Sequence, residues 1–188
     1  MWRLLLPMLL LGCAACSDIW TVSRIEAPMQ RVPSGQAVFL YGIRGYPTGS
    51  SSVWRLDFEK YLPQQHKWDQ NCFAHHSWRG SPEQAKGGET CYYAFTAPPG
   101  DYAYANVDRG DVTTWSFRTP GGQVTYFGTF DITQLPPPGV PYLVRRVDIE
   151  AATAFALSLN LPTPRIAEPV LVPGFPWPGC SEAQSTFG

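Results

Sequence analysis

Nineteen prolines and seventeen glycines in 188 residues limit the fold more than any other feature of this chain. Proline cannot continue a helix and has no backbone N–H to donate, and glycine weakens a helix interior, so these counts argue against a helical bundle and for a turn-rich, β-rich chain. Between these breakers the chain runs in short apolar stretches of strand length. Ala37 to Ile43 is bounded by Pro33-Ser34-Gly35 and by Gly45-Tyr46-Pro47, and Val53 to Phe58 alternates apolar with polar residues. Cys91 to Thr96 ends at Ala97-Pro98-Pro99-Gly100, and Tyr102 to Val107 stops at Asp108-Arg109-Gly110-Asp111. Thr113 to Arg118, the turn Pro120-Gly121-Gly122 and Val124 to Ile132 complete the series. Strands recurring roughly every 8–12 residues with Gly/Pro turns between them predict a mainly-β fold, a sandwich or barrel.

The pattern changes after Pro136-Pro137-Pro138, a stiff extended spacer. Tyr142 to Val147 reads as a last strand. Asp148 then caps a short helix from Ile149 to Leu159, with Ile149, Ala152, Phe155 and Leu159 on one face. Pro162 and Pro164 end it. The expected organisation is one β-sandwich domain over residues 34–165, with a polar loop insertion at 60–90. An extended tether (13–33) precedes it and an irregular proline-rich tail (166–188) follows. The formal net charge of −1 and a pI near 6.3 give no basic footprint for nucleic acid.

The first residues are of another kind. Trp2-Arg3 supply a short positive start, and Leu4 to Leu11 form an apolar run broken by Pro7, too short to span a bilayer as a helix. The run ends in Leu10-Leu11-Gly12-Cys13. This resembles the lipobox of bacterial lipoproteins, with an aliphatic residue three places before the cysteine and a small one immediately before it. The resemblance implies removal of residues 1–12 and lipidation of Cys13, whose acyl chains give the multiple signals that stable anchoring needs. Cys16 fits worse, because Cys13 would then occupy the aliphatic position. Ala14, rather than aspartate, follows the cysteine, and by resemblance to enterobacterial sorting this implies the outer membrane, with the domain in the periplasm.

Lipid on Cys13 leaves Cys16, Cys72, Cys91 and Cys180. An even number outside the cytoplasm predicts disulfides, and four cysteines allow three connectivities. Cys72–Cys91 is favoured because it closes the turn-rich stretch between two aromatic segments. A loop of that size would contribute ~3 kcal/mol in the chain-entropy account. Cys16–Cys180 would then tie the tether to the tail.

Phe95-Thr96-Ala97-Pro98-Pro99-Gly100-Asp101-Tyr102 and the later Gly122-Gln123-Val124-Thr125-Tyr126-Phe127-Gly128 carry a further likeness. Together they resemble a group of small bacterial lipoproteins with a transthyretin-like (prealbumin-like) or carbohydrate-binding-like β-sandwich, over roughly residues 36–160. The resemblance implies a Pro-Gly turn, a tyrosine that packs its ring and bonds its hydroxyl, and a glycine at 128 that permits close backbone approach or a bulge. It carries no catalytic residue across. The insertion at 60–90 and the long tail depart from the group.

Chemistry-bearing residues gather in the insertion: His66, Asp69, Cys72, His75 and His76. Histidines and a cysteine can ligate zinc or copper, yet this spacing matches no standard site, and a disulfide would remove Cys72. Surface histidines on a solvated loop are the plainer reading, so no resident cofactor or metal is expected. No Gly-x-Ser-x-Gly elbow occurs, and Cys–His catalysis has an oxidising compartment against it. Asp108 and Asp111 read as a charged turn. Trp68, Trp78 and Trp177 could form a platform for a glycan or an envelope protein, since interfaces favour such rings. The expected function is a membrane-anchored envelope lipoprotein acting as a binding or structural module, not an enzyme. The competing expectation is a periplasmic metal-binding or enzymatic protein using residues 66–91.

Overall fold

A strand that is hydrophobic at successive rather than alternate positions has to be covered on both faces. Ala37–Arg44 is such a strand, buried at every position except the last. The computed structural model describes residues 22–44, 55–69, 75–79, 89–104, 113–131 and 144–173. Its strands are β1 (Ser23–Arg24), β2 (Ala37–Arg44), β3 (Arg55–Leu62), β4 (Lys67–Trp68), β5 (His75–Arg79) and β6 (Thr90–Ala97). They continue with β7 (Gly100–Tyr104), β8 (Thr113–Thr119), β9 (Val124–Asp131), β10 (Val144–Arg146), β11 (Arg165–Ile166) and β12 (Val170–Pro173), with the helix α1 at Ile149–Ser158.

Two six-stranded sheets result. The first runs β1-β6-β2-β9, with β10 and β11 sharing the far edge of β9; the second runs β12-β8-β7-β3, with β4 and β5 sharing the far edge of β3. Phe39, Tyr41 and Phe95 of the first sheet meet Phe58, Tyr102 and Phe117 of the second in one buried aromatic cluster. The outer face of the first sheet, with Val38, Leu40, Val124 and Tyr126, is covered by Ala152 and Ala156 of α1. That two-sided cover explains the unbroken apolar run of β2. The carboxylate of Asp148 accepts from the Ala151 N–H at 3.1 Å and caps the helix as expected. The fold is therefore mainly β, two facing sheets and one short helix.

Three stretches fold more completely than their composition indicates. Within the expected tether, β1 pairs with β6, and the N–H groups of Ile25 and Met29 bond the carbonyls of Ala94 (2.8 Å) and Leu159 (2.9 Å). Ile25, Met29 and Val32 thereby cover the part of the first sheet that α1 leaves open. The expected insertion loop contributes the end of β3 together with β4 and β5, both paired to β3 through backbone. The start of the expected irregular tail supplies β11 and β12, one strand to each sheet.

The Pro-Gly turn behaves as its motif implies. The Tyr102 hydroxyl donates to the Pro98 carbonyl at 2.8 Å, and Thr119 Oγ1 donates to the Gly100 carbonyl at 2.9 Å. Gly128 marks a bulge. Leu40 of β2 pairs with Tyr126 while Tyr41 pairs with Gly128, so Phe127 is an extra residue on β9. On the other edge of β9, β11 pairs at Thr125 and Tyr126 and β10 pairs from Thr129 onward. The gap between them is filled by Arg145. Its Nε donates to the Phe127 carbonyl, its Nη2 donates to the Ala167 carbonyl at 2.9 Å, and its guanidinium lies 5.6 Å from the centre of the Phe117 ring.

Gly128 has φ +120°, and a Cβ there would come within 2.8 Å of Arg145 Cγ and Nε and 3.0 Å of the Arg146 carbonyl. Gly128→Ala is expected to cost about 3 kcal/mol, from backbone strain together with overpacking. Gly35 also has positive φ (+78°), with nothing within 4 Å of an added Cβ. Gly35→Ala is expected to cost only ~1 kcal/mol. Urea denaturation of both variants checks this; equal losses would show that Arg145 yields freely.

Candidate functional site

The turn at residues 120–123 carries the chain from β8 in the second sheet across to β9 in the first, and a cleft of about 680 Å³ opens beside it. One wall is a cross-strand row on the face of the second sheet turned away from the core. Tyr61 pairs with Asp101 and Asp101 with Arg118, so one residue each from β3, β7 and β8 lies side by side. The opposite wall is the short segment after Pro164, presenting Arg165, Ile166 and Glu168. Gln123 and Thr125 line the cleft near the turn, and Val170 and Val172 of β12 border it.

The second wall is held at both polar atoms of one residue. The Ala167 N–H donates to the Tyr126 carbonyl at 2.9 Å, and the Ala167 carbonyl accepts from Arg145 Nη2. Ala167 is itself buried in the inner core. Arg165, Ile166 and Glu168 around it are exposed, so a fixed residue displays its neighbours to solvent. A wall fixed before ligand arrives loses little entropy on binding.

The electrostatics are balanced rather than one-sided. The described ionisable lining includes Arg118, Arg165, Asp101 and Glu168, two of each sign. Burial pushes the Asp101 carboxyl above its ordinary value, and the Arg118 guanidinium partly pulls it back. The Tyr61 hydroxyl is raised by burial and lies 3.4 Å from His66 Nδ1, which tethers the 3₁₀ turn at Pro63–Gln65 beside the cleft.

The residues singled out in the sequence fall elsewhere, and the structure does not bring them into one site. His66 follows that 3₁₀ turn in a left-handed conformation. His75, His76 and Trp78 are backbone partners of Glu59, Phe58 and Leu56 on β5, and Trp68 ends β4. They belong to strands, not to a loop, because β3 has a second edge that polar residues can pair through their backbone. Asp69 pairs with Lys60 at 3.8 Å. Among the described residues no three His, Cys, Asp or Glu side chains are grouped to hold a metal ion. Cys91, opposite Ile43 on β6, packs against the inner core. Cys13, Cys16, Cys72, Cys180, Asp108, Asp111 and Trp177 lie outside the described residues. Sequence reading missed Asp101, Arg118, Arg165 and Glu168, which share no spacing and meet only through strand register and the crossing from β11 to β12.

A carboxyl whose pKa is raised on folding holds its proton more tightly in the folded than in the unfolded chain. Its contribution to stability therefore falls as pH rises through the window beginning at the ordinary value of 3.8. Asp101→Asn is expected to be more stable than the parent protein at pH 7, with the advantage shrinking as the pH is lowered through that window. Denaturation midpoints measured across the acid range check this, and a variant less stable at neutral pH would contradict it.

No protein-family model matches this chain, and neither the curated proteins nor the solved structures contain a match.

Proposed function

We propose that this chain is a lipid-anchored lipoprotein of a bacterial cell envelope and that its β-sandwich serves as a binding module. The anchor is supported by Leu10-Leu11-Gly12-Cys13 closing a short apolar run behind Arg3. Residues 14–21 separate Cys13 from Val22, where the described fold begins, so the lipidated cysteine and the first sheet are joined by a short stretch of chain. Ala14 after the cysteine supports an outer-membrane address facing the periplasm.

The observation that carries the binding half is the cleft wall fixed at Ala167, with charged and amide side chains displayed on both sides of a space of about 680 Å³. Small-ligand sites run roughly 300–1,000 Å³ and use a few well-placed polar groups. A transthyretin-like ancestry and the Cys72–Cys91 and Cys16–Cys180 disulfides are part of the same proposal.

Growth with a palmitate analogue tests the anchor. The wild-type protein is expected to take up label and to fractionate with membranes, and Cys13→Ala to lose both. Equal labelling of the two would overturn the assignment.

A further inference from the structure

We propose that the cleft receives a short extended peptide with free termini, Arg165 taking its carboxylate and Glu168 its ammonium group. The proposal rests on the reading of the domain as a binding module and names the class of ligand.

Charge balance comes first. A polyanion or polycation gains little from a lining that carries two cations and two anions, whereas a zwitterion finds a partner for each of its ends. The two charged pairs are not equivalent. Asp101 and Arg118 face each other in strand register and attract one another. Arg165 and Glu168 are exposed, and among the described residues neither forms an ion pair. Both are open to the charged ends of a ligand, and charge-assisted hydrogen bonds are about twice as strong as neutral ones.

Spacing and surroundings narrow the class. Three residues of extended chain span at most ~10 Å. That reach is the upper bound on the Cα separation of Arg165 and Glu168, and it is about the length of a tripeptide backbone. Gln64 and Gln123 offer donors and acceptors for peptide groups, and Ile166 and Val170, both exposed, offer apolar contact. A sugar is less well served, because among the described lining residues the one aromatic ring is Tyr61, which is 1% exposed and presents no face for stacking.

The test is calorimetric titration of the full chain in detergent micelles. The probes are a panel of tripeptides with free termini, the same peptides capped at both ends, chitotriose and inorganic phosphate. Free-terminus peptides are expected to bind, and capping to weaken them at least tenfold. Arg165→Gln should abolish the preference for a free carboxylate while keeping that for a free amine, and Glu168→Gln the reverse. Both side chains are exposed, so unchanged melting temperatures are expected and would show that folding is intact. Equal binding of free and capped peptides, or variants with unaltered preferences, overturns the proposal. Binding of chitotriose or phosphate instead of peptides overturns the ligand class and leaves the binding module standing. If no probe binds, both fall.

Discussion

Where β9 carries one residue more than its parallel partner β2, the Phe127 carbonyl points into the gap between two short edge strands, and Arg145 occupies that gap. A buried carbonyl left unbonded costs about 1–3 kcal/mol, and a bond from a charged donor contributes more than a neutral one. Arginine suits the position better than lysine, because its planar fork serves two separate carbonyls while its face lies over Phe117. Burial lowers the Arg145 pKa, but arginine keeps its charge at neutral pH.

The same extra residue shapes the core. The Phe127 ring stacks on Phe39 (4.9 Å between centres) and on Phe117 (4.6 Å), with the Phe58 ring edge-on at 5.2 Å. Phe39 belongs to the first sheet and Phe117 and Phe58 to the second, so Phe127 joins the two sheets at the point where β9 is irregular. The bulge, the aromatic stack and the arginine form one unit. Gly128 is required because a side chain there would collide with Arg145. From this unit the second bond of Arg145 reaches Ala167 and sets the cleft wall, which links core packing to the proposed binding surface.

Strands were legible in the sequence where their apolar residues lie between strong breakers: β2, β6, β8 and β9 fall within a residue of the expected segments. The helix was legible from Asp148 and its apolar spacing. Legibility failed where strands are made by backbone pairing and not by apolar pattern. The two residues of β1, the polar β5 and the proline-flanked β11 and β12 carry no periodicity long enough to read. The histidines drew attention because their chemistry is conspicuous, while Arg145, one of three arginines between residues 145 and 165, looked like an ordinary surface charge. Its role depends on the bulge at Phe127, eighteen residues earlier in the chain, which no local window connects to it.

The most direct test of this account is amide hydrogen exchange at Ala167, whose N–H bonds the Tyr126 carbonyl and whose carbonyl is held by Arg145. The Ala167 amide is expected to exchange as slowly as the central amides of β2, and much faster in Arg145→Met, with the β2 amides far less affected. An Ala167 amide that exchanges like an open loop in the wild-type protein, or at an unchanged rate in Arg145→Met, would contradict it.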